Sequence, residues 1–247
     1  MIRWDEITAA FGGTFDPPHR GHRIAVEGLL KDPGVRSVLV LPSPVPIQKT
    51  SVAAREQRLD MVRLNFERIE GVRVDTRELD RADRHPDRPA YSFDTIQELR
   101  KEFPKLAFVI GADQLQNLHT WHRFPEILRE CHWIVLARRT SSQSGGPGLM
   151  PNMMKDALEV LTRWEASGLV KRTVDDSDTH SVWQTGRLAT GPVYLRVTST
   201  DAPALASTDI RKEIAVRGEL HEGLLEPAVL SYLKTHRIYG IRGREKQ

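Results

Sequence analysis

The chain has few of the features that mark several common classes of protein. Only one of its 247 residues, Cys131, is a cysteine, so an internal disulfide is excluded and an intracellular setting is expected. No apolar run approaches the roughly 18–20 residues of a membrane-spanning helix. The opening residues Met1–Glu6 lack the layout of a signal peptide. We therefore expect a cytoplasmic protein with no membrane partner.

A large excess of charge of one sign is also missing. The 36 basic and 33 acidic side chains leave a formal net charge of +3, and aromatic residues make up 6% of the chain. Surfaces that bind nucleic acid normally cluster lysines and arginines among aromatics, so we expect no nucleic-acid partner. The small positive balance is compatible with phosphorylated small molecules.

Short apolar runs alternate with amphipathic stretches of helix length, which is typical of an α/β fold with a mostly parallel sheet and helices on both faces. The predicted strands are residues 7–11, 35–41, 72–76, 106–110, 133–137 and 193–197. The predicted helices are residues 20–30, 53–69, 92–102, 122–130, 150–167, 207–216 and 227–236. Residues 77–89 are predicted to form a charged loop, and residues 171–191 are too polar to assign.

The length allows one α/β domain with a sizeable core, and no hard boundary divides the chain. We predict a single domain over residues 1–247, with an insertion of unknown role at residues 140–191, before the last strand. Its first part, Thr140–Gly148, has the composition of a flexible loop.

The most informative stretch runs from Gly12 to His22 and reads GGTFDPPHRGH. It follows the first predicted strand, and its glycines let a polyphosphate approach the backbone closely. The helix predicted to begin at Arg20 offers N–H groups without internal partners and a dipole that favours negative charge. His19 and His22 are three residues apart, so both lie on one side of a first helical turn. This pattern indicates a phosphate site whose imidazoles stabilise added charge.

The whole run resembles the signature G-G-T-F-D-P-x-H-x-G-H of the nucleotidyltransferase superfamily that is named after its His-x-Gly-His motif. Four further stretches resemble one branch of it, the bacterial-type nicotinate-mononucleotide adenylyltransferases. The likeness covers residues 7–139 and 193–240. It implies a Rossmann-like open sheet and a reaction in NAD synthesis: ATP and nicotinate mononucleotide give nicotinate adenine dinucleotide and pyrophosphate.

The same resemblance implies residues for ATP. His19 and His22 would hold the ATP phosphates, and Arg211 would hold the leaving pyrophosphate. The stretch from Leu205 to Arg211 resembles the family's I-S-S-T-x-I-R, with Leu205 and Ala206 in place of the leading isoleucine and serine, so one hydroxyl is lost. The remaining ATP-binding residues that it implies are Gly12, Gly13, Thr14, Phe15, Gly111, Asp113, Ser207 and Thr208.

Part of this set also follows from the residues themselves. Asp113 comes directly after the apolar run 106–110, and the carboxyl end of a strand in an open parallel sheet is where ligands bind. A carboxylate there accepts hydrogen bonds from ribose hydroxyls. Ser207 and Thr208 can cap the helix that follows them while offering donors to phosphate, as Ser92 can cap its own helix.

For the mononucleotide the resemblance implies a tryptophan that stacks on the pyridine ring and a helix start that meets the nicotinate. A flat electron-poor ring against an indole face is favourable. The stretch from Val45 to Lys49 resembles the family's V-P-P-H-K. Lys49 keeps the cation, but Ile47 and Gln48 replace the second proline and the histidine. The implied residues are Lys49, Tyr91, Ser92, Thr95, Trp121 and Arg138.

His119 and His122 have no third ligand in view, so we expect no metal held by protein side chains. Mg²⁺ is expected to arrive with ATP, because it prefers substrate phosphates to an all-protein cage.

Two alternatives stay open. The acceptor could be nicotinamide mononucleotide, pantetheine phosphate or another small phosphate ester. Alternatively, the chain could be a nucleotide-binding regulatory module without catalysis, for which the departures at Gln48 and Ala206 leave room. The oligomeric state is not determined by the sequence.

Overall fold

The computed structural model describes residues 5–44, 53–138, 153–173, 180–203, 205–221 and 223–242. Eight strands lie within these ranges: β1 (Ile7–Gly13), β2 (Val35–Pro42), β3 (Val72–Val74), β4 (Leu106–Gly111), β5 (His132–Arg138), β6 (Lys171–Arg172), β7 (His180–Leu188) and β8 (Gly191–Thr200). None of the helices in the described ranges is both long and apolar enough to cross a membrane.

The described ranges contain eight α-helices. They are α1 (Arg20–Leu30), α2 (Arg55–Phe66), α3 (Arg77–Arg84), α4 (Ser92–Glu102), α5 (Ala112–Asn117), α6 (Met153–Ala166), α7 (Ser207–Arg217) and α8 (Pro227–His236). The strands form one open sheet with the order β3-β2-β1-β4-β5-β8-β7-β6. The pairs β1–β4, β4–β5, β5–β8 and β2–β3 are parallel, whereas β7 is antiparallel to both β8 and β6. The predicted mostly parallel, Rossmann-like α/β sheet is confirmed.

The backbone groups into two compact units. The first consists of Met1–Phe11, Gly28–Ser37 and Tyr91–Asp201, and the second of Gly12–Glu27, Val38–Ala90 and Ala202–Gln247. The first unit contains the apolar strands β4 and β5, whose residues from Leu106 to Ile110 and from Trp133 to Ala137 are buried. Strands covered on both faces need such continuous apolar runs, which is why these two strands were visible in the sequence.

The second unit has a core of its own. Apolar side chains of α2, α7, α8 and the last turn of the chain form one buried cluster: Ala53, Met61, Ile210, Ile214, Leu225, Val229, Leu233, Ile238 and Ile241. Helix α8 begins with Pro227 at its first position, where a missing N–H costs nothing. Helix α7 ends at Gly218, whose left-handed backbone, with φ of 70°, is typical of a helix C-terminus. Because Ile210 and Ile214 of α7 belong to this cluster, their packing holds α7 in the second unit.

Two secondary-structure predictions are wrong. The charged loop predicted at residues 77–89 begins with α3, which carries acidic residues in its first turn and basic residues in its last. This arrangement complements the helix dipole without apolar periodicity. The helix predicted at residues 122–130 is only a 3₁₀ turn, Glu126–Arg129. Pro125 lacks an N–H and disfavours a helical residue before it, so an α-helix cannot run through this stretch.

The stretch 140–191 contributes regular structure where it is described. Helix α6 lies in it, and its polar part, left unassigned in the sequence, contains β6 and β7. Strand β7 pairs with β8 from His180 to Leu188 and has a register irregularity between Gln184 and Gly186. The single domain with an insertion at 140–191 stays a prediction.

One ion pair of the first unit offers a stability test. Arg196 is 7% exposed and contacts Asp32, which also accepts the backbone N–H of Gly34. We expect Arg196→Met to lower the free energy of unfolding by about 2 kcal/mol, because it removes the partner of a partly buried carboxylate. Urea denaturation measures the change.

The matched control is Lys105→Met, which breaks the exposed pair between Lys105 and Asp5. Exposed pairs contribute about 0–1 kcal/mol, so we expect at most about 0.5 kcal/mol. Equal losses in the two variants would contradict the structural role of Arg196.

Candidate active site

The candidate residues lie in both units, and each group is described within its own unit. The second unit contains the run from Gly12 to His22 and the start of α7, with Ser207, Thr208 and Arg211. The first unit contains Gly111, Asp113, Tyr91, Ser92, Thr95, Trp121 and Arg138. Lys49 and Gln48 lie outside the described residues.

In the second unit, the glycine turn is shaped by Phe15. Strand β1 extends through Gly12 and Gly13, two residues further than predicted. A Cβ at Gly13 would lie 2.8 Å from Cζ of Phe15, so glycine allows the ring to fold back over the turn. Phe15 has a left-handed backbone with φ of 52°, which is unfavourable for a bulky residue. Its buried ring contacts His22 edge-on, with centroids 5.1 Å apart, and thereby supports that imidazole.

His19 and His22 form a reciprocal pair at the start of α1. The backbone N–H of His22 donates to Nδ1 of His19 at 3.3 Å, and the backbone N–H of His19 donates to Nδ1 of His22 at 3.2 Å. His19 is the residue before the helix and His22 its third residue, so the pattern is that of a capping box built from imidazoles. The rings stack with centroids 3.6 Å apart and an angle of 22°. The three-residue spacing therefore gives two N–H groups at the helix start a side-chain acceptor, and the N–H of His22 is shared with the backbone oxygen of His19 at 2.9 Å.

This arrangement fixes the chemistry of both rings. A ring nitrogen that accepts a hydrogen bond carries no proton, so a neutral imidazole in this box carries its proton on Nε2. Protonation at Nδ1 would place two donors against each other. The pair is therefore suited to act as two neutral Nε2–H donors.

Gly21 is required between the two histidines by space. A Cβ there would lie 3.0 Å from Nδ1 of His19 and 3.2 Å from the backbone oxygen of Pro203. A side chain at this position would press on the nitrogen that closes the capping box. The glycine of the motif thus protects the imidazole pair.

The start of α7 contacts the same loop. Nη1 of Arg211 donates to the backbone oxygen of Asp16 at 2.6 Å, and Nη2 donates to Oγ1 of Thr208 at 3.4 Å. Oγ of Ser207 donates to the backbone oxygen of Pro17 at 2.9 Å. The structure therefore joins Arg211, Ser207 and Thr208 to the loop that carries the two histidines.

The predicted capping roles of Ser207, Thr208 and Ser92 are wrong. The residues before α7 and α4 are Ala206 and Tyr91, and neither helix has a side-chain cap hydrogen bond. Ser207 and Ser92 are instead the first residues of their helices. In α7 the hydroxyl of Ser207 donates to the backbone oxygen of Pro17 and does not cap the helix.

Sequence reasoning missed Arg58, which supports the loop by a hydrogen bond to its backbone at Thr14. Its side chain is 1% exposed and donates to the backbone oxygens of Thr14, Ser43 and Pro44, with distances of 2.8 Å to the first two. Burial lowers the pKa of this guanidinium below its ordinary value. One arginine among the charges of α2 gives no sequence signal of such a role.

In the first unit, Asp113 folds back over the end of β4. A Cβ at Gly111 would lie 2.3 Å from Oδ1 of Asp113, so a side chain there would displace the carboxylate from this position. The backbone N–H of Gly111 donates to Oε1 of Gln114 at 3.0 Å. Asp113 itself is exposed at the carboxyl end of a parallel strand, where it is available to a ligand.

Trp121 is half-buried and has edge contacts with Phe108 and Trp133, with centroids 6.5 and 6.4 Å apart. It is thus anchored in the core of the first unit while part of the indole remains accessible. Arg138 is half-buried at the end of β5.

Tyr91 stacks on His122, with centroids 4.1 Å apart. His122 was considered in the sequence only as a metal ligand, and its ring contact has no sequence signal. Thr95 is fully buried, and its hydroxyl donates to the backbone oxygen of Tyr91 at 3.4 Å. Ser92 begins the helix between them. Across the part of the chain that the structure describes, no group of three or more His, Cys, Asp or Glu residues is placed to hold a metal ion.

The open α/β sheet and the imidazole pair are those expected of a nucleotidyltransferase, and similarity to known proteins shows that class. The chain belongs to the cytidylyltransferase-like family, whose sequence profile matches residues 10–213. Families of this kind typically use a divalent metal with the nucleotide.

Individual relatives carry a more specific functional description than the family. A protein of Pectobacterium atrosepticum described as a probable nicotinate-nucleotide adenylyltransferase is 34% identical over 237 residues, which cover 94% of this chain and 98% of that protein. A protein of the same description from Cronobacter sakazakii is 35% identical and covers 94% of this chain and 95% of its own length. The predicted family resemblance is confirmed.

Solved structures show the same fold at low identity. The Plasmodium falciparum nicotinic acid mononucleotide adenylyltransferase complexed with APC has a TM-score of 0.62 and 12% identity, covering 96% of this chain and 98% of that one. The same enzyme complexed with NaAD has a TM-score of 0.56 and the same identity and coverage.

The imidazole pair gives a direct spectroscopic prediction. We expect His19 and His22 to be Nε2–H tautomers near neutral pH, because each Nδ1 accepts a backbone N–H. Long-range ¹H–¹⁵N NMR spectra of histidine-labelled protein distinguish the two tautomers.

His236 supplies the internal control, since its Nδ1 lies 3.0 Å from the backbone oxygen of Tyr232 and must donate to it. We expect its neutral form to be the Nδ1–H tautomer. Finding the proton on Nδ1 of His19 or His22 would refute the capping box.

Proposed function

We propose that the protein transfers the adenylyl group of ATP to nicotinate mononucleotide and produces nicotinate adenine dinucleotide and pyrophosphate. The observation that carries the proposal is the imidazole pair of His19 and His22, which follows the loop that Arg211 of α7 contacts through the backbone oxygen of Asp16. The relatives from Pectobacterium and Cronobacter, named for this reaction, support the choice of substrates.

The reaction needs positioning more than proton transfer. An oxygen of the mononucleotide phosphate attacks the α-phosphorus of ATP, one P–O bond forms, and the bond to the bridging oxygen breaks to release pyrophosphate. A phosphate dianion is already a nucleophile, so no general base is required. The protein must hold two anions together and stabilise the charge that grows on the leaving group. Correct orientation contributes about 7–11 kcal/mol of such a barrier.

The second unit would supply the phosphate-binding groups. Neutral Nε2–H donors of His19 and His22 would bind the ATP phosphates, and Arg211 would bind the leaving pyrophosphate with its planar fork. The backbone from Gly12 to Phe15 and the start of α7 would line the phosphate path. Neutral donors suit this task because they offer an N–H group to the anion while Nδ1 stays unprotonated, as the capping box requires.

The first unit would bind the rings and sugars. Asp113, exposed at the end of β4, would accept hydrogen bonds from a ribose. Trp121 would stack on the pyridine, and Tyr91, Ser92 and Thr95 would meet the nicotinate at the start of α4. Lys49 and Arg138 would attract the mononucleotide phosphate.

Mg²⁺ would enter as part of the substrate, bound to the ATP phosphates. The donors on the loop of the second unit are N–H groups of imidazole and guanidinium, which fit phosphate oxygens and not a cation. Bound to ATP, the ion neutralises part of the triphosphate charge. We further propose that the protein is cytoplasmic.

The substrate assignment is tested by supplying Mg²⁺ and ATP with nicotinate mononucleotide, nicotinamide mononucleotide or pantetheine phosphate in separate reactions. We expect dinucleotide and an equal amount of pyrophosphate with nicotinate mononucleotide, and a kcat/KM at least about tenfold lower with the others. Pyrophosphate release without any of these acceptors, or no turnover with all of them, would overturn the assignment.

His22→Ala tests the imidazole pair. We expect kcat to fall by roughly 100-fold, or about 3 kcal/mol, the scale of losing one donor aimed at developing charge. Steady-state kinetics with pyrophosphate detection measure the change. His236→Ala, which removes an exposed histidine of the same unit, should leave kcat unchanged. A His22→Ala turnover within a few-fold of wild type would remove His22 from this role.

A further inference from the structure

Asp16 is a buried carboxylate in the loop between Phe15 and the two prolines, and it is 2% exposed. The hydroxyl of Tyr239 donates to its Oδ1 at 2.6 Å, and the backbone N–H of Ala53 donates to the same oxygen at 3.2 Å. Its Oδ2 lies 3.6 Å from Nη1 of Arg211. All four residues belong to the second unit. The carboxylate is therefore held by three separate segments of the chain.

The charges around Asp16 agree with this arrangement. A carboxylate removed from water needs donors and cations close by, and Arg211 and Arg58 both interact with it electrostatically. Burial and then the hydrogen bond to Asp16 raise the pKa of Tyr239 far above its ordinary range. The phenol thus keeps its proton, and Tyr239 acts as a neutral donor that orients the carboxylate without competing for its partners.

Arg211 contacts two atoms of Asp16, the backbone oxygen and Oδ2. Its Nη1 donates to the backbone oxygen of Asp16 at 2.6 Å and faces the carboxylate of the same residue. Nη2 contacts Thr208 within α7. A guanidinium has five N–H donors, and its hydrogen bonds to the described residues use two of them. The plane of the fork is thereby fixed while donors remain for an anion.

Tyr239 reaches Asp16 from an unusual backbone. It lies in the last 3₁₀ turn with φ of 59°, a left-handed conformation that a tyrosine adopts only when its surroundings require it. The flanking Ile238 and Ile241 are buried in the core cluster of the unit. The turn therefore presents the phenol to Asp16 from a packed support.

We propose that Asp16 and Tyr239 are positioning residues for Arg211 in adenylyl transfer, which rests on the proposed function. Neither residue touches the reacting atoms. Tyr239 orients the Asp16 carboxylate, and Asp16 holds the guanidinium where charge develops on the leaving pyrophosphate. Because this charge grows mainly in the transition state, the loss of positioning lowers kcat more than it raises the KM for ATP.

The test is a double-mutant cycle between Tyr239→Phe and Arg211→Ala. Tyr239→Phe removes one hydroxyl and keeps the ring in the core. We expect it to lower kcat roughly tenfold, the scale of one hydrogen bond to a charged group, with the KM for ATP changed less than about twofold. In the Arg211→Ala background it should lower kcat less than about twofold, because the group it positions is gone.

Tyr232→Phe is the matched control. Its hydroxyl donates to Oδ2 of Asp60 at 2.8 Å in the same unit, so the variant loses a tyrosine–aspartate hydrogen bond away from Arg211. We expect it to leave kcat unchanged and to lower the melting temperature to a similar extent as Tyr239→Phe. Equal kcat losses for the two tyrosine variants, or a full tenfold effect of Tyr239→Phe without Arg211, would overturn the inference.

Failure of the proposed function is distinguishable from failure of this inference. If wild-type protein makes no dinucleotide, the proposed reaction is wrong, and calorimetric binding of inorganic pyrophosphate then decides the positioning role. We expect Tyr239→Phe to weaken the Kd about tenfold in the wild-type background and less than about twofold in Arg211→Ala. Equal weakening in both backgrounds overturns the inference under either reaction.

Discussion

Two hydrogen bonds between His19 and His22 are the constraint on which the start of α1 and the proposed phosphate site depend. A serine or aspartate would satisfy the start of α1 equally well, but its oxygen would offer no fixed donor on the far side. An imidazole accepts at one nitrogen and donates at the other. The same pair of side chains therefore completes the helix and, in the proposed function, binds the ATP phosphates, which would tie local stability to chemistry at these two positions.

The surrounding residues protect this pair in layers. Gly21 keeps space beside Nδ1 of His19, and the ring of Phe15 lies against His22. Arg58 then holds the loop backbone through the oxygen of Thr14. Phe15 and Arg58 are themselves buried, so the groups that support the imidazole pair are held by the packing of the second unit.

Much of the fold was predictable, for identifiable reasons. Helix α1 matches its predicted bounds because the amphipathic pattern opens beside a glycine turn, and α8 does because Pro227 marks its first position. Helix α3 was missed because it relies on charge order instead of an apolar face. Strand β7 was missed because it belongs to an antiparallel hairpin, in which one polar face is allowed.

The candidate site likewise has residues that could be predicted from the sequence and residues that could not. The run from Gly12 to His22 could be recognised in the sequence because its main contact, between His19 and His22, joins residues three positions apart. The contacts of Arg58 with Thr14 and of Tyr239 with Asp16 join residues 44 and 223 positions apart. Such contacts depend on tertiary packing, which a single sequence does not display. The residues that position a site are therefore harder to predict from the sequence than the residues that form it.

The hydrogen bond between Asp16 and Tyr239 also bears on how the protein is made. Ribosomes release residue 16 long before residue 239 exists, so a nascent chain carries the signature loop without the phenol that orients its aspartate. Until the final turn emerges, that carboxylate lacks the phenol hydrogen bond that it has in the folded protein. A loop made near the start of synthesis thus receives one of its hydrogen bonds only near the end.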